Sequence, residues 1–181
     1  MLIEEWNPNS ARPEDDLLAL AGVLHAAVHA GASVSFILPF SLDDARAFWI
    51  DKVLPGVSSG TRRVLIARID GEIVATVQLN LETPPNQRHR ADVAKLLVHP
   101  AARRRGLARA LMEAIEQVAR RDGRTLLTLD TVTGGVAESL YRSLGYVLVG
   151  AIPRYSLDWK GREMESTSVM YKDLASGRTG N

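Results

Sequence analysis

Apolar residues along this chain follow two rhythms, and the switches between them lay out its secondary structure. Leu17, Leu20, Ala21, Leu24 and Val28 recur every three or four positions, the spacing of one helix face. Pro13 followed by Glu14, Asp15 and Asp16 marks the start of that helix, because proline suits the first turn and acids favour its positive end. Gly31 stops it. A second helix opens at Ser41, with Asp44 three residues on as a weaker form of the capping box. It carries Ala45, Phe48 and Trp49 and ends before Pro55-Gly56. Ahead of both, Met1–Trp6 reads as a short strand closed by Asn7-Pro8.

The rhythm then shortens. Val64–Ile69 and Ile73–Leu81 are strand-like runs joined by Asp70-Gly71-Glu72, a hairpin signal. Glu82–Arg90, with two prolines, is a loop, and Ala91–Val98 is a third strand stopped by Pro100. A long helix follows from about Arg104 to Arg121, with Leu107, Leu111, Ile115 and Val118 on one face. Thr125–Asp130 is a strand, Val136–Leu144 a helix and Tyr146–Val149 a strand. Ser168–Lys172, reached through the turn Lys160-Gly161, is the last strand. Strands that follow one another through turns pair antiparallel, whereas the crossover helix after Val98 makes the strands it joins parallel. The expected fold is α/β: a mixed, mostly antiparallel sheet of about seven strands with one parallel pair, and helices on both faces.

Composition narrows the function classes. The chain has 181 residues, 46% hydrophobic and 24% charged, as expected for one globular domain over 1–174 with a small polar tail at 175–181. A formal net charge of +1, with no aromatics interleaved among Arg103, Arg104, Arg105, Arg120 and Arg121, argues against a nucleic-acid module. There is no cysteine, which excludes disulfides, thiolate metal sites and a cysteine nucleophile. The N-terminus has no signal-type apolar run and no stretch is long enough to span a membrane, so a cytoplasmic protein is expected. His25 and His29 share a helix face at a spacing that suits a metal, but no third ligand is evident and no metal is expected.

The chemistry concentrates between Val98 and Arg109. From Val93 to Met112 there is no Ser, Thr, Asn or Asp, so the helix after this strand has no local side chain to cap its first amides. An anion bound there would satisfy those amides and gain from the helix dipole. Gly106 lets the backbone approach such an anion, and Arg103, Arg104 and Arg105 supply positive charge where the dipole alone would disfavour it. A solvated basic turn whose amides bond to water fits the same pattern. No nucleotide-type G-x-x-x-x-G-K-[ST] or G-x-G-x-x-G segment is present.

Val98-x-Pro100 followed by Arg103-x-x-Gly106-x-Ala108 resembles the pyrophosphate motif of GNAT-type N-acetyltransferases, and Ala137–Tyr146 resembles the second motif of the same family. His29–Val34, Ala91–Leu96, Leu129-Asp130-Thr131, Gly134 and Ala137-Glu138 are similar to the tabtoxin resistance branch of that family. The resemblance implies a GNAT-like fold with a splayed parallel pair, and acetyl-CoA as the donor. It implies contacts to that donor from Leu97, Val98, Arg103, Arg104, Arg105, Gly106, Leu107, Ala108, Arg109, Ala137 and Tyr141. It further implies that the Val98 amide acts as an oxyanion donor and that Tyr141 is the general acid. Asp92 and Asp130 are implied as base candidates; where the branch carries a glutamate, the shorter Asp92 suits a water bridge. Gly134 replaces an asparagine that contacts pantetheine in many members. His29, Ser33, Asp92 and Asp130 are candidate contacts to the acceptor, a small amino-acid-like amine such as a β-lactam toxin. A homodimer is also implied. A catalytically degenerate CoA-binding or sensing protein and an enzyme acting on a peptide N-terminus remain as alternatives.

Overall fold

The computed structural model describes residues 1–175; most of the expected tail, from Gly177 through Asn181 together with Ser176, lies outside the described residues. Seven strands form one sheet in the order β1-β2-β3-β4-β5-β7-β6. They are β1 (Leu2–Glu5), β2 (Arg62–Ile69), β3 (Glu72–Asn80), β4 (Arg90–Val98), β5 (Leu126–Val132), β6 (Val147–Leu157) and β7 (Met164–Asp173). All neighbours pair antiparallel except β4 and β5, which flank the crossover helix and run parallel. The sheet type and the parallel pair agree with the pattern of short turns and one long crossover.

Helices cover both faces. On one lie α1 (Pro13–His29) and α2 (Leu42–Phe48); on the other lie α4 (Leu107–Arg121) and α5 (Val136–Ser143). Pro13 sits in the first turn of α1 with Glu14, Asp15 and Asp16. Ser41 and Asp44 close a full capping box, each side chain bonding the other's backbone amide. The second helix does not end before Pro55-Gly56. It continues through a π-helical turn (Trp49–Val53) into α3 (Leu54–Ser58), because Pro55 falls in a first turn, where its missing amide costs no bond. Helix α4 begins at Leu107, three residues later than expected, since Arg104 and Gly106 take left-handed backbone angles. Strands β6 and β7 are much longer than Tyr146–Val149 and Ser168–Lys172, and form a hairpin whose outer member, β6, is one edge of the sheet, β1 being the other.

One irregularity shapes the centre. In β4, Val93 faces Leu79 and Ala94 faces Gln78, but Leu97 then faces Thr76, so β4 carries one residue too many. An extra residue in a strand reverses which side chains face which layer. Ala91 and Val93 accordingly pack with Leu111 and Ile115 of α4, whereas Leu97 packs with Leu20 and Leu24 of α1. Lys95 takes up the bulge at φ +51°. Holding a non-glycine residue in that region costs about 1–2 kcal/mol.

Candidate active site

Strands β4 and β5 are bonded at only three positions, ending at Asp92 opposite Thr128. Beyond that pair β4 continues to Val98 while β5 stays with β7 as far as Val132, so the two parallel strands diverge. The bulge is the physical cause: it bends and twists β4 away from its neighbour. His99 donates its amide to Val74 on the β3 side at 2.8 Å. Successive amides of an extended strand alternate in direction, so the Val98 amide points into the gap. The Val98 carbonyl accepts a bond from Arg103 Nε at 3.4 Å.

The chain then turns through Pro100–Ala102, capped by His99 Nδ1, which accepts the Ala101 amide at 3.3 Å. Left-handed angles at Arg104 (φ +64°) and Gly106 (φ +79°) bring it into α4, which has no side-chain cap. The first intrahelical acceptor, the Gly106 carbonyl, is taken by Ala110 at 3.1 Å, leaving the amides of Leu107, Ala108 and Arg109 ahead of the ladder. A Cβ built on Gly106 meets nothing within 4 Å, so glycine is needed there for its backbone angle and leaves open space outside. Arg103, Arg104 and Arg105 are exposed around this space. Leu107 is buried and offers only its backbone, and Arg109 is drawn off to Ser143 Oγ at 2.7 Å, tying α4 to α5. Free amides, a dipole and three arginines fit a diphosphate.

Helix α5 closes the other side of the gap. Glu138 is buried in its first turn and accepts the Gly134 amide at 2.7 Å and Ser168 Oγ at 3.0 Å, with Arg142 paired at 2.7 Å. These bonds hold its carboxyl below the usual range, the Gly134 amide first among them, and fix the loop before α5. Gly134 itself stands at φ +74°. One turn on from Glu138, Tyr141 is buried with its ring 5.8 Å from that of Tyr146. Burial, and then the negative charge of Asp130, push its hydroxyl up to about 12, so the phenol is neutral at physiological pH. Ala137 is half-buried beside it on α5.

The two carboxylates differ sharply. Asp92, at the last paired position, accepts bonds from Arg90 Nη1 and Thr128 Oγ1. Asp130 lies two residues past Thr128 on β5, on the same face, exposed and with no hydrogen bond or ion pair among the described residues. Its charge acts on both Tyr141 and Lys95. Asp92 is compensated; Asp130 is available.

The connection between α1 and α2 is tied to the bulge of β4 and to the β6–β7 turn. Lys95 donates from Nζ to the Val34 carbonyl at 2.8 Å and to Ser35 Oγ at 3.3 Å. The β6–β7 turn meets the same connection: Trp159 accepts the Leu38 amide at 2.9 Å and its indole lies against Gly31. Between them opens a cleft of about 650 Å³ lined by His29, Phe40, Ser41, Trp159, Lys160 and Arg162, among others. His29 Nε2 bonds the Phe40 carbonyl at 2.9 Å, and its ring lies 4.2 Å from that of His25, whose basicity burial lowers. Ser33 is half-buried in the connection. No group of three metal-ligating side chains occurs among the described residues. Sequence reasoning missed Lys95 and the Trp159, Lys160, Arg162 wall. A lysine inside the apolar run Val93–Val98 was the available signal for the first, and nothing local signalled the second.

The chain is thus a mixed α/β protein whose seven-stranded sheet splays at its one parallel pair, with an uncapped helix start beyond it. The sequence profile of the Acetyltransferase (GNAT) family matches residues 28–146. An uncharacterized N-acetyltransferase of the hisH-hisA intergenic region of Azospirillum brasilense is 34% identical over 118 residues, 64% of this chain and 67% of that protein. Among solved structures, the ribosomal-protein-alanine N-acetyltransferase of Brucella melitensis superposes with TM-score 0.75 at 23% identity, over 96% of this chain and all of that one (100%). The yncA protein of Salmonella typhimurium, solved with its cofactor acetyl-CoA, superposes with TM-score 0.73 at 19% identity, over 100% and 98% of the two chains. The chain belongs to the GNAT acetyltransferase family. It is an acetyl-CoA-dependent N-acetyltransferase.

Proposed function

We propose that the protein acetylates the primary amine of a small, carboxylate-bearing, amino-acid-like substrate, of which a β-lactam amino-acid toxin of the tabtoxin kind is one example. The carrying observation is the cleft between the α1–α2 connection and the β6–β7 turn. It offers the aromatic surfaces of Phe40 and Trp159 with the cations Lys160 and Arg162, and Arg162 has no ion pair among the described residues. A polyamine or aminoglycoside calls for acids instead. A peptide N-terminus would not call on two cations in a cleft of this size.

Bound at the splay, acetyl-CoA supplies an activated acetyl group. In this reading the amides of Leu107 and Ala108, with Arg103, Arg104 and Arg105, hold its pyrophosphate, while Leu97, Val98 and Ala137 line the path of its arm. The Val98 amide stabilises the negative charge that develops on the acetyl oxygen. Asp130 takes a proton from the incoming ammonium, directly or through water, and Asp92 assists from its bonded position. With the donor bound, the amine nitrogen would bond the acetyl carbon as the carbon–sulfur bond breaks; Tyr141 Oη would give its proton to the departing thiolate and take back the second proton of the nitrogen, which restores the phenol. With no cysteine in the chain, an acyl-cysteine route has no nucleophile, so attack is direct and in a ternary complex.

We assign the reaction to the cytoplasm, where acetyl-CoA is available, and propose a pair of chains joined edge to edge along β6. That strand has no outer partner among the described residues and exposes Val147, Val149 and Ile152, which is the kind of edge that pairs with another chain. Light scattering decides the assembly, a single-chain mass being the contrary result. Thiol release from acetyl-CoA, measured across amino acids, β-lactam amino acids, N-terminal peptides, aminoglycosides and polyamines, tests the substrate class. Turnover greatest with free amino-acid-like amines is expected; preference for polyamines or peptides overturns it.

A further inference from the structure

Lys95 occupies the residue that β4 has in excess, at a backbone angle that glycine or asparagine takes more readily. Packing does not explain a lysine there, because its charged end is led away from water. The ammonium is carried over the sheet toward the α1–α2 layer, 5.6 Å from the centre of the Phe36 ring and 5.8 Å from that of Phe48. There it bonds the Val34 carbonyl and Ser35 Oγ, 61 and 60 residues away along the chain. Asp130 attracts it and Arg62 repels it across the same layer. Ser35 also holds a left-handed angle, φ +74°. Two strained residues thus meet through their side chains, the arrangement expected where geometry is over-determined for a purpose.

We propose that Lys95 is a positioning residue for the acceptor side: its ammonium fastens the connection between α1 and α2 to the bulge that opens the sheet. One residue then does two things. Its backbone creates the divergence of β4 from β5, and its side chain sets the height of the wall that carries Phe40 and Ser41 above it. The donor side, built from α4 amides, is untouched by this bond. The inference rests on the acceptor cleft described above, but its first readout does not depend on the acceptor's identity.

The test compares Lys95→Met, which keeps the stem and removes the charge, with Lys95→Arg, which keeps the charge, and with Phe48→Leu, which removes a ring beside the ammonium and its packing but leaves the ammonium and both of its hydrogen bonds. Amide hydrogen exchange is measured on the full chain without ligand. In Lys95→Met, amides of residues 33–38 are expected to exchange at least tenfold faster, with those of β2 and β3 unchanged. Lys95→Arg restores most of that protection, and Phe48→Leu changes it less than threefold. The rise in melting temperature on adding acetyl-CoA is retained in all three. With the best amine of the panel, KM for the amine rises about tenfold in Lys95→Met while KM for acetyl-CoA stays within twofold. Unchanged exchange at 33–38, acceleration throughout the sheet, or an equal effect from Phe48→Leu overturns the proposal. If no amine is turned over, the substrate reading fails and the exchange result still decides the role of Lys95.

Discussion

The two sides of the splay are built on different principles. The proposed donor side is one continuous stretch, β4 through α4, and would work with backbone: the Val98 amide, the uncapped amides of α4 and a glycine at φ +79°. The proposed acceptor side draws on separate elements, the α1–α2 connection, the bulge of β4, Asp130 of β5 and the turn between β6 and β7, and would work with side chains. Backbone groups are the same in every sequence, so a donor site of this kind can persist while little else is kept. Side chains on separate elements can change one at a time, which is how one fold serves many acceptors.

Mutations that touch one side only should break the comparison cleanly, and the largest effect is expected at Gly106. Gly106→Glu puts a side chain at a left-handed angle and a negative charge where the arginines face outward. It should abolish the rise in melting temperature that acetyl-CoA gives by mass action, about 2.7 kcal/mol at one hundred times Kd for an intact site. A retained rise would move the donor site elsewhere.

Asp130→Asn comes next, with a fall in kcat of about 10² or more if it is the base. Asp92→Asn should cost clearly less, since Arg90 and Thr128 already hold that carboxylate. Equal losses would mean that the two act as one unit. Tyr141→Phe should lower kcat by about 10² with little change in acetyl-CoA affinity. Its phenol is raised to about 12, so it keeps its proton at all lower pH and should give no alkaline limb to the rate between pH 7 and 10. An alkaline fall within that window that Tyr141→Phe removes would show a far lower value in the working enzyme.

Arg162→Ala should raise KM about tenfold for a carboxylate-bearing amine, the scale of one charge-assisted hydrogen bond, and barely alter KM for its methyl ester. The smallest effect concerns stability. Glu138 has a lowered folded-state value, so the stability it contributes is present above its unfolded value and is lost as pH falls through the folded one. Glu138→Gln should therefore flatten the loss of stability below about pH 4, the ordinary carboxylate range, as followed by thermal melts.

Much of this molecule follows from local sequence. Apolar spacing determined α1 and α4, Asp70-Gly71 the β2–β3 hairpin, and the long crossover the parallel pair, because each depends on contacts a few residues apart or on chain handedness. The missing cap ahead of α4 was equally local. The same logic failed where a neighbour decided the outcome. Pro55 stayed within a helix because the π turn before it placed it in a first turn, and β6 ran on to Leu157 because β7 lay beside it. Whether Asp92 or Asp130 was the free carboxylate depended on Arg90 and Thr128, and the reach of Lys95 depended on Val34 and Ser35. Sequence alone determined the uncapped helix start and its glycine, where we propose that the phosphate-bearing donor sits, since helix amides and a glycine carry their geometry with them. Only the tertiary structure decided which charges remain unpaired around the acceptor cleft, since pairing between distant side chains exists only once the chain has folded.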